Sequence, residues 1–119
     1  MKTQNQTHGY QVLVQTADSY VMQCLCCTKI EVKYKNIMLA FEWADLVTFL
    51  QRLNLAPPNE LCYLVEIVNM QCYPALKVGV SLSGIFLTIN ELDEFKNLLT
   101  TACERMDLEL IFRNTIMDN

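Results

Sequence analysis

Glycine and proline are scarce, three of each in 119 residues, and histidine occurs once, at His8. Gly9, Gly79 and Gly84 stand apart, which excludes a phosphate-cradling loop and a dinucleotide-binding fingerprint, because both need clustered glycines to let backbone approach phosphate. The same scarcity excludes a collagen-like rod or a low-complexity linker. A lone histidine in the polar segment Met1 to Gly9 offers no catalytic triad, since a general base must be held in place by packing. Charge is thin as well: 18% of residues, for a net charge of −4. There is no basic run; Lys29, Lys33 and Lys35 alternate with Ile30, Val32 and Tyr34, as the wet face of a strand would, and nucleic acid is not an expected partner. No apolar run approaches the roughly 20 residues of a spanning helix, and the N-terminus lacks a signal peptide's apolar stretch. The expectation is a cytoplasmic protein that is neither an enzyme nor bound to membrane or nucleic acid.

What the chain has is apolar residues, 52% of the total. At this length one domain, 1–119, is expected, with 1–9 frayed, 10–54 forming hairpins plus a first helix, and 75–106 a hairpin plus a second. Tyr10 to Gln15 and Tyr20 to Cys24 read as strands around the turn Thr16 to Ser19. Lys29 to Lys35 alternates cleanly, and Ile37 to Phe41, apolar on both faces, is expected to be an inner strand. From Trp43 the period turns helical, with Leu46, Val47, Phe49, Leu50 and Leu53 on one stripe, until Pro57-Pro58. Leu76, Val78, Val80 and Leu82 then alternate, Ser83-Gly84 is a turn signal, and Ile85 to Ile89 is the return strand. Thr88 and Glu91 have capping-box spacing, and the acidic cluster Glu91, Asp93, Glu94 suits a helix start better than a catalytic dyad. Leu92, Phe95, Leu98, Leu99 and Ala102 make the second stripe, and Leu108 to Phe112 a last strand. The halves superpose at an offset near 48 residues, so either a duplicated unit or two ordinary hairpin-helix units fits. Both give an α+β fold: an antiparallel sheet built from hairpins with two helices on one face. The role of 55–75 is open; Leu61 to Val68 is either an extra core strand or part of an interface.

Six cysteines are the remaining feature, at positions 24, 26, 27, 62, 72 and 103. In a reducing compartment all six should be free thiols; three disulfides would require a secreted protein. Cys62, Cys72 and Cys103 read as core filler. Cys24 and Cys27 form a CxxC, the spacing that lets two thiolates reach one tetrahedral zinc. If the first hairpin turns at Ala17-Asp18, Gln15 faces Tyr20, Val14 faces Val21 and His8 faces Cys27, giving a candidate site of Cys24, Cys27 and His8. A thiol-redox role is the other chemical reading, although a redox CxxC normally opens a helix, whereas this one bridges two strands. Inert packing is the third.

The run Tyr20-Val-Met-Gln-Cys24-x-x-Cys27-Thr-Lys-Ile30, followed by Ile37 to Phe41 and Leu87-Thr-Ile-Asn-Glu91-Leu92, resembles a family of short bacterial proteins defined only as a domain of unknown function. The resemblance covers residues 20–53 and 85–103. It brings no activity with it, but implies that Cys24 and Cys27 belong to a pattern to which Cys26 is extra. The long apolar 55–75 stretch departs from that pattern. The function expected is binding: an interaction module, a homodimer with room for another protein partner. The alternative is a zinc-binding or thiol-redox protein centred on Cys24 and Cys27. Self-association is expected because mean hydropathy is +0.18, and because the strand Tyr10 to Gln15 would make an edge without Lys or Pro to guard it.

Overall fold

The computed structural model describes residues 9–74 and 84–117, with side chains as far as Met106. Its helices and antiparallel, hairpin-built strands make an α+β fold. The strands divide into two sheets, of four and three, where a single sheet was expected. The chain groups into two compact units, one from the described parts of Met1–Leu46 and Leu98–Asn119, the other from Val47–Asn97.

The first unit holds a meander: β1 (Tyr10–Gln15), β2 (Ser19–Cys24), β3 (Ile30–Tyr34) and β4 (Ile37–Phe41), in the order β1-β2-β3-β4. Alternation does what period-two patterning requires, burying Val21, Ile30, Val32, Tyr34 and Phe41 on one face. The β1–β2 turn is closed by Thr16 N–H donating to the Ser19 carbonyl at 2.8 Å. Lys33 Nζ donates to the Asp18 carbonyl at 2.9 Å, and the Lys35 N–H to Ser19 Oγ at 3.1 Å, so the buried serine is satisfied. Lys35 itself turns β3 into β4 with φ of +55° and lays its ammonium 5.3 Å from the Tyr34 ring centre. β4 is the last strand of its sheet, not an inner one. Its second apolar row faces out, leaving Met38 and Ala40 exposed.

Two helices, α1 (Trp43–Asn54) and α2 (Ile89–Met117), run through both units. In the second unit, Phe49 and Phe95 meet edge-to-face at 5.9 Å, a preferred arrangement for aromatic quadrupoles. The three-stranded sheet is β6 (Gln71–Pro74), β5 (Cys62–Glu66) and β7 (Ile85–Thr88), with β5 central. Tyr63, Leu64 and Val65 are buried, so Cys62–Glu66 is a core strand, while Leu61 and Val68 at the ends of the 61–68 segment are exposed. Tyr63 Oη donates to the Pro57 carbonyl at 2.5 Å and fixes the loop that ends α1. Arg52 reaches from α1 to the Asn69 carbonyl at 2.9 Å, holding the β5–β6 turn.

The first arm of the hairpin expected at Leu76 to Leu82 lies outside the described residues; among those described, β7 pairs with β5. A Cβ at Gly84 would stand 2.5 Å from the Val65 carbonyl oxygen, so this glycine allows a close backbone approach. The capping box forms, with Glu91 N–H donating to Thr88 Oγ1 at 3.2 Å and Thr88 N–H to Glu91 Oε1 at 3.0 Å. Leu108 to Phe112 is helical, not a strand. From Ile89 to Met117 there is no Gly or Pro to stop a capped helix, and extending a formed helix costs less than nucleating a strand. Among the described residues, no helix is long and apolar enough to cross a membrane.

Candidate functional site: the cysteine turn and the sheet face beside it

Cys24 ends β2 and Ile30 begins β3, so residues 25–29 must reverse the chain. They do so tightly. Thr28 N–H donates to the Cys24 carbonyl at 2.9 Å, and Cys24 N–H to the Lys29 carbonyl at 2.9 Å. Thr28 takes φ of +64°, the left-handed conformation that closes the turn just after Cys27. Hydrogen bonds from the Cys27 N–H, the Cys27 thiol and the Cys26 N–H hold the Cys24 thiol below its ordinary pKa, with burial opposing them. Cys24 is buried while Cys26 and Cys27 are exposed. Lys29, on the same turn, pairs with Glu42 at 3.9 Å with both side chains largely in solvent, an interaction of little energetic weight.

Two residues of the expected metal site, Cys24 and Cys27, are on the turn. The register begins as expected, Gln15 opposite Tyr20 and Val14 opposite Val21, then shifts at a bulge so that Val12 faces Met22 and Tyr10 faces Cys24. The unbroken register that placed His8 opposite Cys27 therefore does not hold through β1. His8 lies outside the described residues. The bulge has a packing cause: Leu13, the extra residue, is 1% exposed, and a strictly alternating strand would have turned it to the solvent face. Consecutive apolar residues Val12-Leu13-Val14 were the available signal. Among the described residues, no group of three or more His, Cys, Asp or Glu side chains is placed to hold a metal ion.

The other thiols are dispersed, and all six cysteines are free. Burial pushes the Cys72 thiol up to about 11, partly offset by the charge of Lys96. Cys62 and Cys103 are half-buried.

No family model matches the chain, and neither a curated protein nor a solved structure matches it. The residues must therefore carry the argument. By alternation from the observed pairing, Tyr10, Val12, Tyr20, Met22 and Cys24 share the outer face of the four-stranded sheet. Tyr20 Oη donates to Glu31 Oε2 at 2.6 Å across this face, and the carboxylate raises the phenol's pKa. Near the cysteine turn this face is open at Tyr10, 51% exposed, and Val12, 47%. Leu25 follows Cys24 and its N–H donates to the Gly9 carbonyl at 2.9 Å, which by alternation sets it on the opposite side from Tyr10. The unguarded β1 edge on which Tyr10 and Val12 lie was legible in the sequence.

Proposed function

We propose that this protein is a cytoplasmic binding module that acts as a homodimer, joined through the edge strand β1 at Tyr10 and Val12. The observation that carries this reading is that these two large side chains, each about half exposed, share one face of a strand that ends its sheet. Clustered exposed apolar surface marks interaction sites more often than scattered residues do. A second copy is the occupant we favour because an unpaired edge strand can pair with the same strand of its own copy. The chain carries −4, which opposes association in general, and Tyr10 and Val12 add no charge to the contact. Two-fold pairing is also the commonest form of oligomer. Six free thiols suit a reducing compartment.

Light scattering at micromolar concentration tests the reading. The wild-type chain should have a mass near twice 13.7 kDa, and Val12→Lys should return it to the monomer with its circular dichroism unchanged. A monomeric wild type, or a dimeric Val12→Lys, would overturn it. A second reading makes the cysteine turn a metal-binding or thiol-redox centre; what favours it is that Cys24 and Cys27 are carried on one tight, hydrogen-bonded reversal.

A further inference from the structure

We infer that Cys27 and Cys24 form a thiol–disulfide exchange site, which takes a small soluble disulfide of the glutathione class and ends as a Cys24–Cys27 disulfide within one chain. This rests on the thiol-redox reading above and needs no second copy. The backbone of the turn carries it. The 2.9 Å bond from the Thr28 N–H to the Cys24 carbonyl makes residues 24–28 a single turn of helical type that is not continued. The 2.9 Å bond from the Cys24 N–H to the Lys29 carbonyl pins the two ends of that turn together. Side chains three apart on a helical turn are neighbours, with Cβ atoms about 5–6 Å apart. A disulfide brings them to about 3.5–4.5 Å, so a small local shift joins the two sulfurs. Cys26 is the poorer partner for either thiol. Residues two apart on such a turn do not face each other, which separates Cys26 from Cys24. Adjacent residues across a trans peptide have Cα atoms only about 3.8 Å apart, below the usual disulfide range of about 4.4–6.8 Å, which sets Cys26 against Cys27.

The two thiols are placed for different steps. Cys27 is exposed and Cys24 is buried, so Cys27 is the one of the pair that meets the substrate. Its thiolate attacks one sulfur of the small disulfide RSSR; a Cys27–SR bond forms, the S–S bond of RSSR breaks, and RS⁻ leaves. The Cys24 thiolate then attacks the Cys27 sulfur, the Cys27–SR bond breaks, and the second RS⁻ leaves. The protons lost by the two cysteines end on the two released thiols. Two protein thiols and one RSSR thus give one protein disulfide and two RSH, with the cysteines oxidised and the small disulfide reduced by two electrons. Burial of Cys24 does not obstruct its step, because the sulfur it attacks belongs to the same turn. The hydrogen bonds that hold the Cys24 thiol below its ordinary pKa favour the thiolate which that step consumes. Exchange needs two thiols, whereas tetrahedral zinc takes four ligands, and among the described residues no group of three or more is placed to hold a metal ion.

The test equilibrates the full chain, freshly reduced and kept from oxygen, with mixtures of oxidised and reduced glutathione. Remaining thiols are blocked with N-ethylmaleimide under acid, and intact and peptide masses are read. The expected result is loss of two free thiols to an internal disulfide, reversed by excess reduced glutathione. Cys26→Ser should form it as the wild type does, and Cys27→Ser should not form it at all. Cys24→Ser should stop at a glutathione adduct on Cys27, because the thiol that releases it is gone. Cys26 and Cys27 are exposed, so those two variants keep the test decisive even if Cys24→Ser, checked by circular dichroism, fails to fold. An internal disulfide that persists in Cys27→Ser, or is lost in Cys26→Ser, would overturn the inference while leaving the thiol-redox reading intact. A wild type that stays reduced in oxidised glutathione alone, or that takes up glutathione without forming an internal disulfide, would remove both.

Discussion

At the scale of single residues, the structure turns on a few positions where an atom more or less decides the outcome. Gly84 is one. An added Cβ would meet backbone, at 2.5 Å from the Val65 oxygen, and backbone in a central strand cannot move aside as a flexible side chain would. Gly84→Ala should therefore cost about 1–3 kcal/mol, the range for overpacking, read by urea unfolding; a cost below a few tenths would contradict the close approach. Cys72 is another. Its folded pKa is raised to about 11, whereas the thiol of an unfolded chain ionises near 8.5. Between these values the folded state binds more protons, so the stability gained from the neutral thiol is complete below about pH 8.5 and is lost as pH rises through 11. Cys72→Ser should make the fall in stability over that window shallower. Alkylation by iodoacetamide at pH 8, mapped by peptide mass, should modify Cys26 and Cys27 well before Cys72; early modification of Cys72 would contradict the assignment.

At the scale of elements, the strands and helices with regular periods were legible in advance and the irregular ones were not. β3 could be read because Ile30, Val32 and Tyr34 alternate with charged residues, and burial follows that alternation residue by residue. The start of α2 could be read because Thr88 and Glu91 have the spacing of reciprocal side-chain caps, and both bonds form. Thr88→Ala should accordingly cost about 0.5–2 kcal/mol in thermal unfolding, with no change beyond a few tenths meaning that the cap is energetically idle. Three features escaped. Leu108 to Phe112 has the side chains of a strand, but a capped helix already under way extends through it. β4 is apolar on both faces, which suggests a central strand, yet it lies at a sheet end where Met38 and Ala40 face out. The Leu13 bulge shifts the β1 register by one, enough to separate the expected partner of His8 from the observed pairing. The two misses in the sheet share an origin: local pattern reports which residues prefer to be buried, not how many neighbours the sheet will supply.

At the scale of the whole molecule, two compact units and two sheets stand where the sequence alone pointed to one sheet. The candidate site was half legible. The CxxC spacing singled out Cys24 and Cys27, while the tight turn that buries one and exposes the other exists only after residues 25–29 have folded back. Within 61–68 the strand Cys62–Glu66 is interior to its sheet, while Leu61 and Val68 are exposed. Tyr10 and Val12 lie together on the β1 edge, and the central claim is that this edge meets its own copy. Isotope-filtered NMR on an equimolar mixture of methyl-labelled and unlabelled protein measures that contact directly. The account predicts intermolecular contacts from the Val12 methyl groups, including to the Tyr10 ring. Intermolecular contacts confined to other surfaces, such as Val68 or Phe86, or none at all at concentrations near a millimolar, would contradict it.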